Sequence, residues 1–198
     1  MMTKNQLKEL LKPVVVLTVI AVATAFVLGY VHQMTLEPIK KAKDSQELDA
    51  IAEVAGAFDN NPFAEKMIVM TKNKKHKLVM YPARKDGRLS SVAIKSYTNT
   101  GFGGRIELMT GFNVDGSIRS FKVISAHETP GLGSKVDEPK FKEQFSGFRP
   151  HKQVLKVRQD GGDIDAVTAA TISSRAVLKA IARAFDAFDN FSSGNSHE

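Results

Sequence analysis

The chain contains no cysteine. Disulfides, thiolate catalysis, iron–sulfur clusters and cysteine zinc sites are therefore excluded within it, and any electron it carries needs another group. Its five histidines, His32, His76, His127, His151 and His197, are scattered, so metal-ligand spacing is missing. There is no Gly-x-Ser-x-Gly elbow of the kind a serine hydrolase needs. Nucleic-acid motifs, basic stripes interleaved with aromatics and internal repeats are absent as well. With a formal charge of +7, those absences favour solvated lysines, with some contribution from anionic lipid, over nucleic acid as the reason for the basic balance.

What is present begins with an apolar run. Residues 1–12 are polar and basic, with Lys4, Lys8 and Lys12 against Glu9 alone. Pro13 to Val31 then carries no charge, close to the ~20 residues that cross a bilayer as a helix. The basic start favours a cytoplasmic N-terminus, with the rest of the chain outside; Lys40, Lys41 and Lys43 weaken that asymmetry. Ala21-Val-Ala23 and Ala23-Thr-Ala25 resemble signal-peptide cleavage sites, yet the run continues through Phe26-Val-Leu28, as an uncleaved span requires.

The 198 residues suffice for one domain with a proper core. Ile39 to Phe58 reads as an amphipathic helix with Ile39, Ala42, Leu48, Ile51, Ala52 and Ala55 on its apolar side, ended by Asp59-Asn-Asn-Pro62. Short β-rich runs follow at Met67–Met70, Lys77–Tyr81, Leu89–Tyr97, Ile106–Phe112 and Ile118–Ile124. Arg84-Lys-Asp-Gly87 reads as a turn and Asp115-Gly116 as a two-residue hairpin, so neighbouring strands pair antiparallel. Glu138 to Phe145 predicts a short helix, and Ser174 to Phe191 a closing one. The expected class is α+β: an N-terminal transmembrane helix, then a mostly antiparallel sheet packed with helices. Its divisions are 1–12 (cytoplasmic), 13–31 (membrane span), 32–62 (linker helix), 63–191 (folded domain) and 192–198 (disordered tail).

The organising stretch is Asp165-Ala-Val-Thr-Ala-Ala-Thr171, followed by Ile172-Ser-Ser-Arg. Thr168 and Thr171 stand three apart among alanines. Ser173 or Ser174 is suited to cap the helix that Ala176, Val177, Ala180, Ile181, Ala184 and Phe188 outline. Upstream, Val154–Val157 and Ile164–Val167 read as extended chain around Asp160-Gly-Gly-Asp163. The segment thus joins extended chain to a helix N-terminus, where free N–H groups and the dipole favour a phosphate.

Two loops add to this. Asn99-Thr-Gly-Phe-Gly-Gly104 permits close backbone approach. His127-Glu-Thr-Pro-Gly-Leu-Gly133 is rigid and poor in side chains, suited to lie against a flat ring. In it Thr129 is suited to donate to the ring and Leu132 to pack on its face. Lys135 just beyond is suited to neutralise an anion. Adjacent side chains of extended chain diverge, so His127 and Glu128 do not converge on one metal; the Glu128 carboxylate is suited to fix the loop through backbone N–H groups.

In order, these elements resemble the Gly-Tyr-Gly-Gly loop, the Glu-Thr-Pro-Gly-Leu-Gly loop and the flavinylation motif Asp-x-x-Ser/Thr-Gly-Ala-Thr of the FMN-binding family. Phe102 replaces the tyrosine, and Ala169 stands where the family has glycine; a positive φ there would strain an alanine. The family includes the G subunit of the Rnf electron transport complex and the C subunit of the sodium-translocating NADH:quinone reductase, and the compact size is more similar to the former.

The resemblance implies a one-electron relay in an ion-translocating ferredoxin:NAD oxidoreductase, with no substrate pocket of its own. FMN would be attached through its phosphate to Thr171. Thr168, Ala169, Ala170, Glu128, Thr129, Gly131, Leu132, Gly133, Lys135 and Ser173 would lie around it. It also implies other subunits of the complex and a magnesium-dependent flavin transferase with FAD as donor, since a threonine hydroxyl is a poor nucleophile near neutral pH. The chain would sit in the cytoplasmic membrane with its folded domain outside. A cofactor-free tethered binding module, and a hydrolase using Thr171 or Ser173, are the other readings.

Overall fold

The computed structural model describes residues 4–195. Helix α1 spans Lys4–Ala55, and the chain divides into two units, Met1–Ser45 and Gln46–Glu198. In the first, a helix long and apolar enough to cross a membrane presents its side chains outward on every side; Phe26, for example, is 76% exposed. The hydroxyls within it are satisfied locally, Thr18 donating to the Val14 carbonyl (2.8 Å) and Thr24 to that of Ile20 (2.7 Å), as a lipid-facing helix requires.

The second unit is built on a five-stranded antiparallel meander in the order β1 (Met67–Met70), β2 (Lys77–Lys85), β3 (Arg88–Gly101), β4 (Gly104–Asn113), β5 (Ile118–Ala126). Alternation sorts the strands' side chains onto two faces. Met80, Val92, Ile94, Leu108, Phe112 and Phe121 enter a core with helix α3 (Thr171–Asn195). Tyr81, Ala83, Ala93 and Met109 enter a second core with Ala50, Ile51, Val54 and Ala55 of α1.

The turns carry the register. Asp86 and Gly87, at φ 52° and 73°, join β2 to β3 as the sole unpaired residues, a primed turn matched to strand twist. The Asp115-Gly116 loop is longer than expected: Asn113 N donates to Ser117 O and Gly116 N to Asn113 O, both at 2.9 Å. Val114, Asp115 and Gly116 thus form a three-residue loop with Gly116 left-handed at φ 79°.

Several boundaries differ from the sequence reading. The helix predicted from Ile39 ends at Ala55, not Phe58, because Gly56 takes φ 77° and turns the chain as a left-handed residue after a helix does. Its buried side is Ala50, Ile51, Val54 and Ala55, whereas Ile39, Leu48 and Ala52 are exposed. Residues 46–55, read as linker, therefore belong to the folded unit. Val154–Val157 and Ile164–Val167 form no paired strands, only a parallel bridge between Val157 and Ile164. The cause is local: the Asp163 carboxylate takes the Val154 N–H at 2.7 Å, and a 3-10 turn at Arg158–Asp160 closes the loop too tightly for a ladder. The predicted 138–145 helix is helix α2 (Pro139–Lys142) plus a 3-10 turn, Glu143–Phe145. Residues 192–195, read as tail, continue α3, with Ser193 Oγ donating to Asp189 O at 2.7 Å; 196–198 lie outside the described residues.

Candidate functional site

Helix α3 starts at Thr171, three residues earlier than the pattern indicated. Neither Ser173 nor Ser174 precedes it, so neither caps it in the expected way. Ser174 Oγ instead reaches back, accepting from Val167 N and donating to Ala170 O, both at 3.0 Å. Ala170 N donates to Val167 O at 3.0 Å and closes a turn through Thr168 and Ala169. Ala169 holds φ 61°, a left-handed conformation that costs an alanine roughly 1–2 kcal/mol. This is the strain anticipated for an alanine at that position. The turn and the Ser174 staple deliver the partly exposed Thr171 to the first position of the helix, where the leading N–H groups have no intrahelical acceptor.

Two distant loops meet it there. Gly103 in the β3–β4 hairpin packs so tightly that a Cβ would fall 1.6 Å from the His127 carbonyl oxygen. The Glu128 carboxylate then ties three segments together. Its Oε1 accepts from Gly103 N at 3.4 Å, and its Oε2 accepts from the Ser173 hydroxyl at 2.7 Å. A Cβ on Gly101 or on Gly133 would each approach a Glu128 oxygen to 2.5 Å, which is why both positions are glycine. Glu128 thus fixes the loops, through one backbone N–H and one hydroxyl. The 127–133 loop is closed on itself by Leu132 N to Thr129 O (3.2 Å) and Gly131 N to Ser134 Oγ (3.0 Å).

The result is a cavity of about 360 Å³ lined by Phe102, Glu128, Thr129, Leu132, Gly133, Ala169, Ala170, Thr171, Ile172 and Ser173. Segments about 70 residues apart in sequence share one wall because the hairpin tip and the β5 exit lie at the same end of the sheet. Phe102, Leu132 and Ile172 are large, apolar and exposed around it, an uncommon concentration for a soluble surface.

The candidates divide between two places. Glu128, Thr129, Leu132, Gly133, Ala169, Ala170, Thr171 and Ser173 line this cavity, whereas Lys135 and Thr168 line a neighbouring one of about 690 Å³ with Asp165. Gly131 is exposed at φ 75° and serves the loop's curvature. Asp165 is held by the Gln144 amide, which accepts from Asp165 N at 2.7 Å and donates to its carbonyl at 3.2 Å, while Arg158 pairs with its carboxylate at 2.8 Å. The sequence reading left Phe102 and Ile172 out of the cavity wall. An exposed aromatic between glycines and an apolar residue directly after the threonine were the available signals. No side-chain base hydrogen-bonds Thr171 among the described residues, so the site has no hydrolase dyad.

A family model described as an FMN-binding domain matches residues 101–186. The chain is 33% identical over 178 residues to the G subunit of the ion-translocating oxidoreductase complex of Vibrio atlanticus (strain LGP32), covering 85% of each protein. It is 34% identical over 176 residues to the protein of that name from Vibrio parahaemolyticus serotype O3:K6, covering 83% of this chain and 82% of the relative. In fold it is similar to the crystal structure of Shewanella oneidensis NqrC, with a TM-score of 0.52, 22% identity and coverage of 74% and 70%. It is likewise similar to the C subunit of the Na(+)-translocating NADH-quinone reductase from Parabacteroides distasonis, with a TM-score of 0.57, 18% identity and coverage of 79% and 96%.

Proposed function

Because the chain belongs to the family of G subunits of ion-translocating oxidoreductase complexes, we propose that it is a membrane-anchored electron-transfer subunit carrying FMN esterified through its phosphate to Thr171. The observation that carries this reading is the convergence of the 102, 128–133 and 169–173 segments on one cavity with that hydroxyl in its wall. The residues fit the cofactor. Phe102, Leu132 and Ile172 supply apolar surface for the ring, Thr129 a donor at its edge, and the first N–H groups of α3 meet a phosphate. Bound FMN supplies reversible one-electron chemistry, which this cysteine-free chain otherwise lacks.

The chain's own residues position. Glu128 holds the wall together, and Ala169 holds the turn that presents Thr171. Lys135, on the far side of the acceptor turn, adds positive charge behind it. For attachment, Thr171 Oγ1 loses its proton and forms a bond to the FMN phosphorus of an FAD donor while the pyrophosphate P–O bond breaks, and AMP leaves. No base contacts this oxygen among the described residues, so a separate flavin transferase supplies the base and its magnesium. The anchor is residues 13–31, with residues 1–12 in the cytoplasm, and the unit from 46 onward lies outside as one component of the membrane complex.

Intact mass tests this reading. Protein from its native membrane exceeds the sequence mass by one FMN less water. Thr171→Ala removes the increment without a loss of fold, since Thr171 is partly exposed and makes no side-chain hydrogen bond among the described residues. Thr171→Ser keeps the hydroxyl and retains part of it. Unmodified wild-type protein from that membrane overturns the attachment.

A further inference from the structure

Beside the cavity, the charges on the surface are not evenly paired. Helix α3 runs from Thr171, at the hairpin tip, back along β3: Ser96 Oγ donates to Ala180 O at 2.8 Å, and Arg183 Nη1 donates to the Tyr97 carbonyl. Tyr97 lies beyond the end of the β2–β3 ladder, which begins at Val79 with Lys95. Its ring is held between two guanidinium groups, Arg105 at 4.3 Å and Arg183 at 4.6 Å from the centroid. The His76 ring stands edge-on to it, with centroids 6.1 Å apart.

His76 ends a turn rich in lysine: Lys72, Lys74, Lys75 and then Lys77. The carboxylates here are Glu107, paired with Arg105; Asp189, paired with Lys72 and His151; Asp186, accepting from the Lys72 N–H; and Asp160, paired with Arg175. Lys74, Lys75, Lys77, Lys179 and Arg183 have no carboxylate partner among the described residues. The His76 imidazole reports the resulting field: burial first, then Arg183 and Lys75, hold its pKa below the ordinary histidine value.

From Ile172 to Arg183 the excess extends about 16 Å at 1.5 Å per residue, too far for one small anion to span. It begins at Phe102 and Ile172, exposed apolar residues of the cavity wall. An apolar centre with a rim of like charge is the pattern of a transient protein interface steered by electrostatics. We propose that this face, Phe102 and Ile172 flanked by Lys179, Arg183 and Lys75, is where an acidic partner protein docks to exchange electrons with the cofactor. The inference rests on the function proposed above. It favours a protein over a lipid surface because the apolar end opens on the cofactor cavity, and a lipid headgroup carries no electron.

The test uses the flavin-loaded full chain in detergent, reduced and mixed rapidly with ferricyanide, a trianion that accepts one electron, so that two reoxidise each fully reduced flavin. The rate falls about tenfold as ionic strength rises from low to physiological. Lys179→Glu and Lys75→Glu each slow the low-salt reaction several-fold. Lys85→Glu, an equal charge change at the opposite, β2–β3 end of the sheet, leaves it nearly unchanged. Equal effects of all three mean that only net charge acts, and overturn the proposal. Protein that never bleaches on reduction holds no flavin and overturns the functional reading itself. In native membranes, a photo-cross-linker on Lys179→Cys, the chain's sole thiol, yields an adduct to an Asp/Glu-rich peptide; a lipid adduct or none overturns the docking face.

Discussion

On one face of the sheet α1 arrives as backbone; on the other, α3 arrives behind a layer of aromatic rings. Against α1, a Cβ on Gly111 would stand 2.1 Å from the Val54 carbonyl oxygen, and Ser91 Oγ donates to the Ala55 carbonyl at 2.8 Å. Against α3, Phe112 stacks on Phe188 at 5.2 Å, and Phe121 meets Phe145 edge-on at 5.0 Å. The first joint has no slack. The second stands off at the thickness of side chains, which leaves the N-terminal turn of α3 clear of the core and free to meet loops. The function proposed here belongs to the face with room, and the α1 face serves as the fixed joint of the folded unit.

The sharpest way to break this contrast is Gly111→Val. It forces the α1 joint apart and lowers stability by about 3 kcal/mol, read by urea unfolding; a loss under about 1 kcal/mol would show that the close approach has slack. Next is Glu128→Ala, which frees the Ser173 hydroxyl and the Gly103 N–H. It costs about 1–2 kcal/mol and cuts the extent of flavin attachment more than it lowers Tm, whereas Glu128→Gln, still an acceptor, restores most of the attachment. Identical losses in Ala and Gln variants would mean that the carboxylate does not tie the loops.

Smaller and opposite in sign is Thr110→Val. Thr110 Oγ1 is fully buried in β4 with no hydrogen-bond partner. A methyl in its place is expected to raise stability by about 1 kcal/mol in thermal denaturation.

The smallest effect concerns the ion pairs rimming the α1 joint. Glu47 accepts from the Tyr81 hydroxyl at 2.8 Å and pairs with Lys95; Glu53 pairs with Lys122 at 3.2 Å and with Lys142. Burial raises both carboxyls, but the hydrogen bonds and charges of those partners outweigh it, and both end below the ordinary glutamate value. A folded pKa below the unfolded one gives stability that is complete above the unfolded value near 4.5 and is lost as pH falls through the folded value. Glu47→Gln therefore lowers Tm at neutral pH, and the gap to wild type closes in acid. A gap that persists below the carboxylate range would deny the ion pair its role.

Five strands, their antiparallel pairing and the apolar anchor run were legible along the chain, because alternation, turn dipeptides and hydrophobic length are local signals. The cavity's members were legible in part. Glu128 to Gly133 and Thr171 could be named from motif resemblance, yet their meeting depends on β5 leaving the sheet at the same end as the β3–β4 hairpin tip. The Glu128–Ser173 bond was not legible at all: 45 residues separate the two, and nothing local marks them as partners. The start of α3 was misjudged for a related reason. Ser174 looked like a cap from its neighbours, but its oxygen is claimed by Val167 and Ala170 upstream.

Composition and order alone determined that no sulfur chemistry operates here, that an uncharged span precedes a sheet-rich unit, and that a lone threonine opens the last helix. Which face of the sheet carries the site, which loops enclose that threonine, and where unpaired cations gather beside it were decided only by tertiary packing. Charge and hydrophobicity are properties of single residues, whereas a cavity and a docking face are properties of distances, and distances between remote residues exist only once the chain has folded.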